Sequence, residues 1–219
     1  MTLQECLDFL AREADPVFRA QLSERFGIPN ENAYGVPMGR IKAFARKAAK
    51  DHALAAALWE SGHYEARLLA IHVDDPAQLT PEQMDAWVAE FDNWAICDTA
   101  CFALFDRTVH AWGRVPAWIA AETLYTRRAG LALIWALSRH DKRAPDSAFT
   151  DALALAEGVA DDPRPHVQKA VSMAIRAVGK RNDALDAATR ASAKRLEVRQ
   201  APAARRTARE VLRALQRNG

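Results

Sequence analysis

The sequence is short of the residues that build sheets and disulfide frameworks. Glycine occurs only nine times in 219 residues. No run alternates Val, Ile or Thr with polar residues, so a strand-based core has nothing to draw on. Cysteine occurs three times, as Cys6, Cys97 and Cys101. Cys97 and Cys101 stand at helical spacing with no His or third Cys nearby, so they read as reduced core thiols and not as a zinc site. No apolar run reaches the roughly 18 residues that span a bilayer. Residues 1–15 carry Glu5, Asp8, Arg12 and Glu13 where a secretory signal would be apolar. No Gly-rich phosphate loop, zinc signature or Ser-His-Asp pattern stands out, and the six histidines are scattered. Neither metal nor cofactor is expected, and the expected setting is cytoplasmic, away from membranes.

What is present is alanine, leucine and charge. Half the residues are hydrophobic, and their helical spacing argues an all-α chain. Helices are predicted over 3–12, 16–25, 38–50, 52–61, 64–73, 81–91, 94–105, 123–139, 146–158, 162–178, 184–199 and 202–217. Thr80-Pro81-Glu82 marks one start, with Thr as N-cap and Pro at the first helical position. Pro116 is expected to break the segment that contains it. Loops are short throughout, so neighbouring helices should pair. Arg128-Ala129-Gly130-Leu131-Ala132-Leu133-Ile134 is similar to Lys169-Ala170-Val171-Ser172-Met173-Ala174-Ile175, 41 residues on. That spacing lies within the usual ~40–47-residue period of HEAT and armadillo helix pairs. The expectation is one domain over residues 1–219: HEAT-like helix-pair repeats stacked in a curved, right-handed α-solenoid, with Arg128 and Lys169 on its concave face.

The net charge of +2 conceals an asymmetry. Residues 163–219 hold 14 Lys/Arg and 4 Asp/Glu, a net of +10, and the rest of the chain carries −8. A basic quarter on an acidic body suits a polyanion-binding face, although solvated helix faces would look the same. Within residues 91–101, Asp92-Asn93 offers an N-cap, and Trp94 and Asp98 share one helix face four residues apart. An aromatic ring and a carboxylate on one face suit a cation, or a sugar on which positive charge develops.

Several short motifs are similar to those of one family. Tyr34-Gly35-Val36-Pro37-Met38-Gly39-Arg40 resembles its Gly-Val turn ahead of an Arg-bearing helix. Trp94 and Asp98 resemble its Trp-x-x-x-Asp pair. Trp118-Ile119-Ala120 through Arg128-Ala129 resembles its Trp-Ile-Ala…Arg-Ala segment, and Val167-Gln168-Lys169-Ala170 its Gln-Lys-Ala helix. The chain thus resembles the bacterial AlkD-type alkylpurine DNA glycosylases, the HEAT-like-repeat DNA alkylation repair proteins.

The resemblance implies release of cationic N3- or N7-alkylated purines from duplex DNA without a base-flipping pocket. Asp98 would stabilise the oxocarbenium-like sugar, a contribution on the order of 4 kcal/mol at ~4 Å and an effective dielectric near 20, or roughly 10³ in rate. Trp94 would press on the sugar, and Arg128 would hold a neighbouring phosphate. Arg40, Arg127, Lys169, Met173, Arg205 and Arg206 would contact DNA. Met173 stands where the family carries a second Trp. The implied partner is alkylated double-stranded DNA, bound by a monomer. The alternatives are a DNA-binding repeat protein without catalysis and a protein-interaction scaffold.

Overall fold

Helix starts follow the cap residues. In the computed structural model, which describes residues 1–216, Thr2 and Glu5 form a reciprocal capping box at the start of α1 (Leu3–Arg12). Asp15 accepts from the amides of Val17 and Phe18, with Pro16 behind it, to open α2 (Pro16–Phe26). Gly27 ends α2 in the left-handed conformation. Then come α3 (Met38–Ala45), α4 (His52–Glu60), α5 (Tyr64–Val73), α6 (Pro81–Ala89) and α7 (Trp94–Ala103), the last followed by a 3-10 turn at Phe105–Arg107. The chain continues through α8 (Ala111–Ala120), α9 (Leu124–His140), α10 (Asp146–Gly158), α11 (Pro165–Gly179), α12 (Asp183–Glu197) and α13 (Pro202–Gln216). Asp51, Thr80, Asn93 and Asn182 cap α4, α6, α7 and α12 through their side-chain oxygens. The described residues contain no strand, and among them no helix is long and apolar enough to cross a membrane. The predicted final helix runs on to Arg217, which lies outside the described residues.

Two expectations are corrected. The third helix stops at Ala45 and not at Lys50, because Lys47 and Ala48 bond three residues back and turn the chain. That turn lets the Asp51 amide reach the Val73 carbonyl before Asp51 caps α4. Pro116 does not break its segment but sits inside α8. One lost ladder bond is outweighed by burial of Val115, Trp118 and Ile119, each worth about 1.5–3 kcal/mol.

Contacts gather into two compact units, Met1–Val109 and a second that starts at His110. In the first, α5 is central and touches α1, α3, α4 and α7. It is apolar around most of its circumference and almost wholly buried. Its one buried charge, Glu65, accepts from the amides of Tyr34 (2.8 Å), Gly35 (2.7 Å) and Val36 (3.0 Å). This latch fixes the turn into α3. Gly35 is required there: its φ is +86°, and a Cβ would lie 2.2 Å from the Asp15 carbonyl oxygen. In the second unit α9 and α11 form the central pair, flanked by α8, α10, α12 and α13. Gly130 lets α8 approach α9, since a Cβ there would meet Ile119 Cγ1 at 2.7 Å. Arg128 and Lys169 are each the fifth residue of their helices, α9 and α11, which matches the 41-residue repeat.

Candidate nucleic-acid interface

In the first unit, Trp94 opens α7. Asn93 Oδ1 accepts from Ala95 and Ile96, both at 3.0 Å, and Asn93 Nδ2 donates to Asp92 at 2.7 Å. The indole is half-buried: it packs with Phe18, Phe26 and Tyr64 over Leu22, Ile28 and Ala33, and its Nε1 donates to the Phe26 carbonyl at 3.0 Å. Both contacts fix the ring. Asp98, one turn on, is also half-buried. Cys97 and Cys101 are reduced and buried beside it. Burial, then the Cys97 hydrogen bond, holds the Cys101 thiol far above its ordinary range, so it is no nucleophile. Arg40 is exposed and ion-paired with Glu13 at 3.0 Å. A hollow of about 310 Å³ lies between α3 and α5, lined by Lys42, Ala45, Arg46, Ala48, Lys50 and His72. Burial, reinforced by Lys42, Lys50 and Arg107, pushes the His72 imidazole down to about 4.

In the second unit, Arg128 is 4% exposed and donates to the His166 carbonyl at 2.8 Å, tying α9 to α11. The repeat-equivalent Lys169 is exposed. The Arg128 guanidinium, by contrast, is drawn in against α11. Arg127 is also engaged. Its Nη1 meets Asp162 at 2.6 Å and its Nε donates to the Ile119 carbonyl at 3.1 Å. Arg164 grips the same carboxylate at 2.6 and 2.9 Å, and these bonds hold Asp162 far below the usual carboxylate range. Arg195 pairs with Glu157 at 2.6 Å, with Arg199 nearby. Arg205 and Arg206 are exposed on α13, with Arg206 3.2 Å from Gln168.

The cations that remain available converge elsewhere. Between the C-terminal half of α9 and the length of α11 lies a hollow of about 840 Å³, lined by Trp135, Ser138, Arg139, Lys142, Lys169, Met173, Arg176, Ala177, Lys180 and Arg181. Six of the ten are cations and none is acidic. On α11 the lining residues recur as Lys169, Met173, Arg176 and Lys180, one stripe at helical spacing. Arg181 is pinned: it donates to the Ser138 and Asp141 carbonyls at 2.9 and 2.8 Å and lies 3.7 Å over the Phe149 ring. Among the described residues the other five cations form no ion pair. Cations in a last helical turn offset the helix dipole, which accounts for Arg139 and Lys180. Arg176 also lies in the last turn of α11, and only Lys169 lies too early in that helix for the role. Of this set the sequence reading singles out only Lys169 and Met173. The cation stripe on α11 was the available signal, while its counterpart on α9 depends on which face of that helix turns outward.

The sequence profile described as "DNA alkylation repair enzyme" matches residues 8–212. The chain belongs to the DNA alkylation repair enzyme family. A solved structure described as "a new family of proteins related to the HEAT-like repeat DNA glycosylases with affinity for branched DNA structures" superposes with a TM-score of 0.78 at 20% identity, covering 98% of this chain and 95% of that one. It establishes the HEAT-like helix-pair fold of this family member. A designed armadillo repeat protein aligns at 13% identity and a TM-score of 0.36, over 91% of this chain and 99% of that one, too loosely to carry an argument. No curated protein matches the chain significantly.

Proposed function

We propose that the chain is an alkylpurine DNA glycosylase, an N-glycosyl hydrolase acting on cationic N3- or N7-alkylated purines in duplex DNA without a base-flipping pocket. The observation that carries this reading is the Trp94–Asp98 pair on α7, in a chain that matches the family over 8–212. Alkylation at N3 or N7 puts positive charge on the purine and weakens its glycosidic bond. A half-buried carboxylate stabilises the sugar cation left behind and orients water. Trp94, its ring fixed by the Phe26 carbonyl, offers a π-face to the same charge. Arg128 is proposed to hold a lesion phosphate while it braces α11. Lys169, Met173, Arg40, Arg127, Arg205 and Arg206, together with the other cations of the α9–α11 hollow, are proposed to hold the DNA. The working unit is proposed to be one domain over 1–219, active as a monomer in the cytoplasm.

A second reading, DNA binding without catalysis, is favoured by Met173, because a thioether lacks the quadrupole of the family's Trp. The related protein of known structure is described by its affinity for branched DNA and not by an activity. Incubation with N-methylated duplex DNA separates the two readings. The glycosylase reading expects free base and abasic sites from the wild type, and loss of both in Asp98→Asn with DNA binding retained. Binding without base release in the wild type would leave the second reading standing.

A further inference from the structure

The α9–α11 hollow has more in it than a phosphate backbone needs. Its apolar wall is made of Trp135 and Met173 on facing helices, with Ala177 beside Met173. Phosphates gain nothing from an indole or a thioether, whereas a nucleobase gains from both. At about 840 Å³ the hollow also lies within the ~300–1,000 Å³ typical of small-ligand sites.

We propose that this hollow takes one unpaired nucleotide of DNA, its base lying on Trp135 and Met173 and its flanking phosphates held by Lys169, Arg176 and Lys180. The inference rests on the hollow being a DNA interface, which both functional readings share. A base inside an intact duplex has its faces covered by its neighbours, so only a nucleotide out of the stack can use the indole: a bulge, a gap, a strand end or a junction arm. Among the described residues no Asn, Gln, Asp or Glu lines the hollow, so adenine and cytosine find none of their usual edge partners there. Stacking, which any base can provide, is then the contribution common to all four bases, and guanine alone finds its usual Lys/Arg edge partners there. Arg181, two residues beyond α11, holds the geometry from behind through its bonds to the carbonyls at the end of α9.

The test measures the affinity of the full chain for two DNAs that differ only in one unpaired 2-aminopurine, a bulged duplex and its matched counterpart. The wild type is expected to prefer the bulge by about 5- to 100-fold, the range that stacking on one aromatic ring supplies, with 2-aminopurine fluorescence quenched on binding. Trp135→Ala is expected to bring the affinity ratio to about one, and Trp135→Phe to keep part of it. A ratio is used because it does not depend on the fraction of folded protein. Equal affinity of the wild type for both DNAs, or a full preference kept by Trp135→Ala, would overturn the nucleotide site. If Lys169→Ala with Lys180→Ala weakened binding of neither DNA, the hollow would not be a DNA interface at all. If that pair weakened both DNAs alike while Trp135→Ala left the ratio untouched, only the unpaired-nucleotide inference would fall.

Discussion

Replacing Glu65 should unfasten the turn that leads into α3, and the cost can be worked from its bonds. The carboxylate is fully buried and accepts from three consecutive amides, those of Tyr34, Gly35 and Val36. A hydrogen bond to a charged group contributes about 1.5–3 kcal/mol, and a buried amide left unpaired costs about 1–3 kcal/mol. The three amides are neighbours, so their losses overlap, and Glu65→Ala is expected to cost about 4 kcal/mol in all. For a chain of this size that lowers Tm by roughly 8–16 °C. Glu65→Gln should cost about half as much. Its amide oxygen can still serve Gly35 and Val36, which share Oε1, while its NH2 group faces the Tyr34 amide and cannot accept from it. Thermal and urea melts of the two variants measure the difference. A loss below about 1 kcal/mol for Glu65→Ala, or equal losses for both variants, would refute the latch.

Gly130→Ala should destabilise by about 1–3 kcal/mol through overpacking against Ile119, and a neutral melt would contradict the close α8–α9 approach. His72 titrates near 4 in the fold against an ordinary value near 6.5. The unfolded chain therefore takes up a proton first, and stability falls as pH drops from about 6.5 to about 4. His72→Gln should lose less stability than the wild type across that window in urea melts, and parallel losses would remove His72 from the account. Asp98→Asn should abolish base release from methylated duplex, and undiminished release would take Asp98 out of its role.

Features whose partners are close in sequence were legible without coordinates. The caps at Thr80 and Asn93, the Trp94–Asp98 face and the 41-residue repeat all depend on spacings along one helix or between equivalent helices. The buried carboxylates were not legible, because their partners are distant: Glu65 reaches amides about 30 residues back, and Asp162 meets Arg127 from 35 residues away. A charge on a helix reads as solvated until the partner that withdraws it is known. For the same reason the burial of Arg128 was not legible: a carbonyl in the first turn of α11 draws its guanidinium inward. The basic hollow was half-legible. Net charge located it in the last quarter of the chain, but Arg195 and Arg199, which add to that count, are engaged with Glu157, while Arg139 and Lys142 on the facing side lie outside it.

The central claim is that the cations between α9 and α11 hold DNA phosphates, and the salt dependence of duplex affinity measures it directly. Each neutralised phosphate contributes about −0.9 to the slope of log affinity against log salt. Replacing Lys169, Arg176 and Lys180 together with glutamine should make that slope shallower by about three. A triple variant with the slope of the wild type would contradict the claim.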